Sequence, residues 1–88
     1  MQVITFDTET TGLLQDPEAR IIEIGAVRHN LETGQQTASF SRLCRPRYLD
    51  DGKFEIAERI CKISREDILN ASPYVEVIED FCRWCRRS

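Results

Sequence analysis

The sequence predicts a small α/β domain: a three-stranded antiparallel sheet followed by two or three helices. Three observations carry that expectation. β-forming residues fill the first half of the chain in three runs, and the second half carries helix-start signals and apolar residues at helical spacing. Turn residues separate the runs at short intervals, and there is no repeat, linker or low-complexity segment. With 88 residues, the chain suits one domain that buries only about 60–65% of its unfolded surface.

The first strand is built from Val3, Ile4, Thr5 and Phe6 and ends at the turn formed by Thr10, Thr11 and Gly12. A polar loop through Gln15, Asp16, Pro17 and Glu18 follows. The second strand runs from about Arg20 to His29, with Ile21, Ile22, Ile24, Ala26 and Val27. Its apolar residues do not alternate cleanly, which predicts a strand covered on both faces near its middle. Residues 30–34 read as a turn, with Asn30 and Gly34 where positive φ is needed. The third strand spans about Gln36 to Cys44 and alternates through Ala38, Phe40 and Arg42, so strands two and three form a hairpin.

Pro46 closes the sheet region, and residues 48–52, which include Asp50 and Asp51, read as loop. Helical pattern begins near Phe54, with Ile56, Ala57, Ile60 and Ile63 on one side. Ser64 is placed to cap a short helix that reaches about Asn70. Ser72 followed by Pro73 is a further start signal, with Pro at the first helical position. The last helix carries Val77, Ile78, Phe81, Trp84 and Cys85 at amphipathic spacing.

Composition narrows the class. The hydrophobic content of 41% and charged content of 31% are those of a folded globular chain. No apolar run approaches the roughly 18–20 residues of a membrane span. The sequence opens on a core strand and leaves no room for a signal peptide, so a cytoplasmic protein is expected. A net charge of −3 argues against non-specific nucleic-acid binding through bulk charge. The arginines are nevertheless clustered, Arg42, Arg45 and Arg47 in one group and Arg83, Arg86 and Arg87 in another. Either group could meet phosphates, with solvated surface arginines as the default reading. The cysteines, Cys44, Cys61, Cys82 and Cys85, read as buried structural thiols in a reducing compartment, because the C-x-x-C pair lies on the amphipathic helix.

The informative chemistry lies in Phe6-Asp7-Thr8-Glu9-Thr10-Thr11-Gly12-Leu13. Asp7 and Glu9 sit at the tip of an apolar strand that is expected to be buried. At i and i+2 they share a face, with Cα atoms roughly 6.5–7 Å apart. Two carboxylates that close repel unless a cation lies between them, and hard oxygen ligands suit Mg²⁺ or Mn²⁺. The alternative is a pair of solvated residues leaving a strand.

That stretch, followed by Ile22-Glu23-Ile24-Gly25-Ala26-Val27, resembles the first motif region of the DEDD 3′–5′ exonucleases, with the proofreading subunit of bacterial DNA polymerase III and its relatives as the nearest branch. Ile60-Cys61-Lys62-Ile63-Ser64-Arg65-Glu66-Asp67-Ile68-Leu69 resembles that family's helical segment I-H-G-I-T-x-E-x-L. The match continues through Ala71-Ser72-Pro73 and residues 77–81, covering nearly the whole chain. The resemblance implies an RNase H-like fold, a five-stranded mixed sheet in the order 3-2-1-4-5 flanked by helices. It implies that Asp7 and Glu9 are the first two of four acidic ligands to a pair of Mg²⁺ or Mn²⁺ ions, which orient a water and stabilise the leaving oxygen. It also implies that Thr10, Thr11 and Gly12 approach the terminal nucleotide, that Leu13 packs against the last base, and that Glu23 and Ile24 line the same pocket. Ile24 serves equally well as plain core.

Departures from the family are equally informative. The family draws a third carboxylate, then a catalytic histidine and a fourth carboxylate, from segments beyond those present here. His29, at a strand end, is in the wrong context for that base and reads as a surface residue. Asp50 and Asp51 read as loop residues, and Glu66 and Asp67 as cap residues. Lys62 stands where the family usually has glycine, so a different local turn is expected.

Residues 1–88 are thus expected to form the N-terminal portion of an exonuclease domain, an incomplete RNase H-like fold. Its first strand would be an apolar edge that a protein partner, a second copy or further chain must cover. The expected function is that of the N-terminal part of a metal-dependent 3′–5′ exonuclease acting on nucleic-acid 3′ ends, inactive until the remaining ligands and base are supplied. The alternative is a catalytically dead exonuclease-like module that binds a protein or a nucleic-acid end.

Overall fold

The computed structural model describes residues 1–12, 17 and 19–87. Strands β1 (Gln2–Thr10), β2 (Ile21–Asn30) and β3 (Gln36–Leu43) form one antiparallel sheet in the order β1-β2-β3. The helical half comprises α1 (Asp51–Ile56), a π-helical turn (Ala57–Cys61), α2 (Arg65–Leu69) and α3 (Tyr74–Arg86). The sheet-then-helices architecture expected from the sequence is the one observed.

The β2–β3 turn follows the chemistry of its residues. Gly34 takes φ +71°, which glycine tolerates without steric cost. Asn30 keeps its strand backbone and acts through its side chain, which accepts hydrogen bonds from the amides of Glu32 (2.9 Å) and Thr33 (3.4 Å). The β1–β2 connection is pinned by Thr11, which is fully buried. Its amide donates to the Arg20 carbonyl (3.0 Å), and its hydroxyl accepts from the Arg20 amide (2.9 Å).

Side-chain caps set the helix starts. Asp50 accepts from the Lys53 amide (2.9 Å) and begins α1. Asp50 and Asp51 therefore belong to a helix start, where the sequence reads as loop. Ser64 accepts from the Asp67 amide (3.1 Å) and starts α2 as expected. Pro73 takes the cap position of α3, one residue outside the helix. Ser72 is used by the sheet end instead, its carbonyl accepting from the Arg45 amide (2.8 Å).

The core forms two clusters. Ile22, Phe54, Ala57, Ile63 and Ile68 join the short helices to one end of the sheet. Ile24, Cys44 and Val77, with Phe40 and Phe81 packed beside them, join α3 to one sheet face. Two expectations are corrected here. β2 alternates buried Ile22, Ile24 and Ala26 with half-exposed Glu23, Gly25 and Val27, so only its α3 face is covered. β1 is the expected edge strand, but the expected burial of its residues fails at Phe6, which is 63% exposed although its ring lies 5.7 Å from that of Phe81. An edge position has no neighbour on one side, so an apolar strand there stays partly wet. Ile60 is likewise exposed, because the backbone widens into the π-helical turn and rotates it off the inner face. Of the cysteines, Cys44 is buried, Cys61 and Cys85 are half-buried and Cys82 is exposed, so the buried-thiol expectation fails for Cys82.

Candidate metal and nucleic-acid site

Strand alternation sorts the sheet into two chemically different faces. Phe6, Ile24, Arg28, Phe40 and Arg42 meet α3, as their ring contacts, core packing and hydrogen bonds show. Asp7, Glu9, Glu23, Gly25, Val27, Ser39 and Ser41 alternate with these residues and lie on the opposite face. Together with their neighbours they line an open groove of about 510 Å³.

The register places the acidic residues in this groove. Asp7 pairs with Gly25, and Glu9 pairs directly with Glu23. A bulge between Glu9 and Thr10 then breaks the ladder and turns the chain into the Thr10–Gly12 bend, where the Thr10 hydroxyl donates to the Gly12 carbonyl (2.8 Å). Asp7 is exposed and accepts from the Thr8 amide (2.9 Å), which leaves its second oxygen uncommitted among the described residues. Gly25 meets no atom within 4 Å of where a Cβ would stand, so the groove floor beside Asp7 is bare backbone.

Cys61 approaches this bend from the helical half. The π-helical turn brings its Sγ 3.5 Å from the Thr10 carbonyl. Burial first, then Glu9, pushes the Cys61 thiol up, so it stays protonated at neutral pH. No local pattern in the sequence signals this approach, because it depends on five residues winding as a π turn. Such turns recur at functional sites. Lys62 ends that turn in the left-handed region at φ 61°. The turn expected of a glycine is therefore kept by a lysine, and the expectation of a different local turn is corrected.

The other candidate residues have different settings. The side chain of Thr11 is enclosed and committed to the β1–β2 connection, while Ile24 is in the α3 core. Leu13 lies outside the described residues. His29 pairs with Val3 at the far end of β1, four residues from Asp7 and so roughly 13 Å along the strand. Among the described residues no group of three or more His, Cys, Asp or Glu side chains comes together to hold a metal ion.

Residues 4–88 match the family model for exonucleases of the RNase T type. The chain belongs to that exonuclease family. A comparison with curated protein sequences finds no match. Among solved structures the chain is similar to a full-length 3′-exonuclease, at 21% identity and a TM-score of 0.73, covering 94% of this chain and 28% of that one. It is similar to cell-death related nuclease 4 (CRN-4), at 22% identity and a TM-score of 0.74, covering 96% and 29%. It is also similar to the nuclease domain of 3′hExo, a DEDDh family member bound to rAMP, at 21% identity and a TM-score of 0.73, covering 94% and 42%. At these identities the likeness establishes the fold, which is that of the RNase H-like exonucleases. The chain spans 28–42% of the lengths of these structures. Among the described residues no helix is long and apolar enough to cross a membrane.

Proposed function

We propose that this chain contributes the first two metal ligands, Asp7 and Glu9, of a 3′–5′ exonuclease that hydrolyses the terminal phosphodiester of a nucleic acid. The observation that carries the proposal is the placement of Asp7, Glu9 and Glu23 on the uncovered sheet face, in one groove, over bare backbone at Gly25. Carboxylates are set this way against a cation and not against the core.

The donor set fits part of a metal site. Asp7 and Glu9 offer hard oxygens suited to Mg²⁺ or Mn²⁺, which want about six donors and keep several waters. Asp7, Glu9 and Glu23 share the groove, but among the described residues no three such side chains converge on one ion, so this chain alone holds a cation weakly. When bound, the metal supplies charge neutralisation at the phosphate and an activated water. Asp7 and Glu9 orient it. Glu23, facing Glu9, lines the pocket for the terminal nucleotide. The backbone of the Thr10–Gly12 bend approaches the terminal nucleotide, with Gly12 permitting close contact. The solved 3′hExo nuclease domain bound to rAMP supports a nucleotide as the ligand class.

The lack of a three-ligand group supports a second reading, a module that binds a nucleic-acid end or a protein without catalysis. One experiment separates the two: nucleotide release from single-stranded 3′ ends in Mg²⁺ or Mn²⁺, with and without candidate completing chains, using Asp7→Ala and Glu9→Ala as controls. Release that needs both carboxylates supports the exonuclease. Release that survives both substitutions refutes the metal role, and retained binding with no release under any condition favours the module.

A further inference from the structure

The fold brings Arg42 of the first arginine group beside Arg83 and Arg87 of the second, some forty residues away in sequence. Arg42, on the α3 face of β3, donates from Nη1 to Asp80 (3.0 Å) and from Nη2 to Ser72 Oγ (3.2 Å). Arg83 reaches the other oxygen of the same carboxylate (3.2 Å). One aspartate thus holds two guanidiniums from two different elements side by side. Arg87 stands beside them and makes no ion pair among the described residues. Together with Phe40, Asp80 and Trp84 they line a groove of about 250 Å³ at the β3–α3 seam. Trp84 is held in place from within by Arg28, whose guanidinium lies 4.6 Å from the ring centre.

Arg83 also reaches Glu79 Oε2 (3.8 Å), and three guanidiniums against two carboxylates still leave the seam positive on a chain whose net charge is −3. Arginines in the last turn of a helix ordinarily answer the helix dipole, an effect worth a few tenths of a kcal/mol. That explanation covers Arg83 in the last turn and Arg87 at the cap but not Arg42, which comes from a strand. Each guanidinium carries five donors in a fork suited to phosphate. The bonds of Arg42 to Asp80 and Ser72 use two, and they fix the side chain before any ligand arrives. The opposite sheet face presents the acidic groove of Asp7, Glu9 and Glu23, which repels a polyanion. A polynucleotide therefore needs a positive foothold elsewhere on the molecule.

We infer that the β3–α3 seam formed by Arg42, Arg83 and Arg87 binds phosphodiesters in the body of a polynucleotide, away from the terminal nucleotide. The choice of a polynucleotide rests on the exonuclease reading above. The three guanidiniums act together only on a strand that carries several phosphates, so the seam is nearly silent toward a mononucleotide.

The test is fluorescence polarisation of an end-labelled single-stranded 20-mer in EDTA, where no hydrolysis occurs, with the full chain and its Arg83→Glu/Arg87→Glu variant. Both residues are exposed, and a far-UV melt checks that the variant folds. Affinity for the 20-mer should fall about tenfold or more, and the salt slope of binding should drop by about 0.7 for each phosphate that is no longer neutralised. Binding of AMP should be unchanged, and Arg87→Lys should keep most of the affinity. Equal 20-mer affinity and salt slope in wild type and variant overturn the inference. So does an unchanged 20-mer affinity with abolished polyglutamate binding, which assigns the seam to an acidic protein. A wild-type chain that binds no 20-mer also overturns it. The metal reading is judged apart from this, by Mn²⁺ binding of the Asp7→Asn and Glu9→Gln variants.

Discussion

Glu9 and Glu23 face each other directly across the β1–β2 ladder. Directly opposed like charges destabilise a sheet by a few tenths to about 1 kcal/mol, so the pairing is costly unless a cation offsets it. In EDTA, Glu23→Gln should therefore raise the melting temperature by a few degrees, given roughly 4–8 °C per kcal/mol for a domain of this size. Adding Mn²⁺ should stabilise the wild-type chain by mass action and leave Asp7→Asn/Glu9→Gln unmoved. Thermal melts with and without Mn²⁺ check both. A Mn²⁺ shift that persists in the double variant places the ion elsewhere.

Lys62 closes the π-helical turn with φ 61° and ψ 33°, a region that costs an L-residue about 1–2 kcal/mol. Glycine adopts it freely but loses more backbone entropy on folding. Lys62→Gly should thus stabilise the chain by roughly 0.5–1 kcal/mol, the difference between those two effects. Lys62→Val should destabilise it by at least as much, since a β-branched residue fits that region worst. Urea unfolding of the two variants measures the contrast, and Lys62→Gly less stable than wild type would sink the strain argument.

The sequence revealed most where the signal is local. Runs of β-formers bounded by turn residues marked the three strands, and Ser64 marked its helix start, because strand propensity, turns and side-chain caps act within a few residues. The acidic pair was legible for the same reason, since Asp7 and Glu9 share a face by strand geometry alone. Long-range placement was not legible. Glu23 opposite Glu9, Cys61 at the Thr10 carbonyl and Arg42 beside Arg83 each depend on register or on a π turn that no single segment encodes. The edge position of β1 was anticipated, but the exposure of Phe6 and the one-sided covering of β2 were misjudged, because apolar content does not say which face of a strand is covered.

The cysteines should separate by reactivity. Burial above all holds the Cys44 thiol high, outweighing the nearby Arg42 guanidinium, which pulls it down. A native thiol held above its unfolded value favours the neutral form. Its stabilising effect is full below the unfolded value, near pH 8.5, and is lost as pH rises through the native one. Stability should accordingly decline above about pH 8.5, and the decline should be shallower in Cys44→Ala, which is also less stable at neutral pH. At pH 7.5, iodoacetamide should modify exposed Cys82 first and Cys44 only on unfolding, as mass spectrometry of timed digests would report. Early modification of Cys44 in the folded chain would show that the seam around it opens.

β1 leaves one backbone edge unpaired among the described residues, along nine residues that include Val3, Ile4 and Phe6. Such an edge is a template for a further strand. Only Asp7 and Glu9 put charge along it, and both lie toward its C-terminal end. The 88-residue chain should therefore self-associate as its concentration rises, through the Val3–Phe6 end. Mg²⁺ should strengthen the effect by neutralising the two carboxylates. Thr5→Lys places a positive charge on an exposed position of that edge without touching the Phe6–Phe81 pair. The variant should sediment as a monomer at concentrations where the wild type does not, with its melting temperature at low concentration nearly unchanged. Sedimentation velocity across a hundredfold concentration range decides the point. A wild-type chain that stays monomeric throughout, with a cooperative melt, would mean that the edge is protected by its own twist and needs no neighbour.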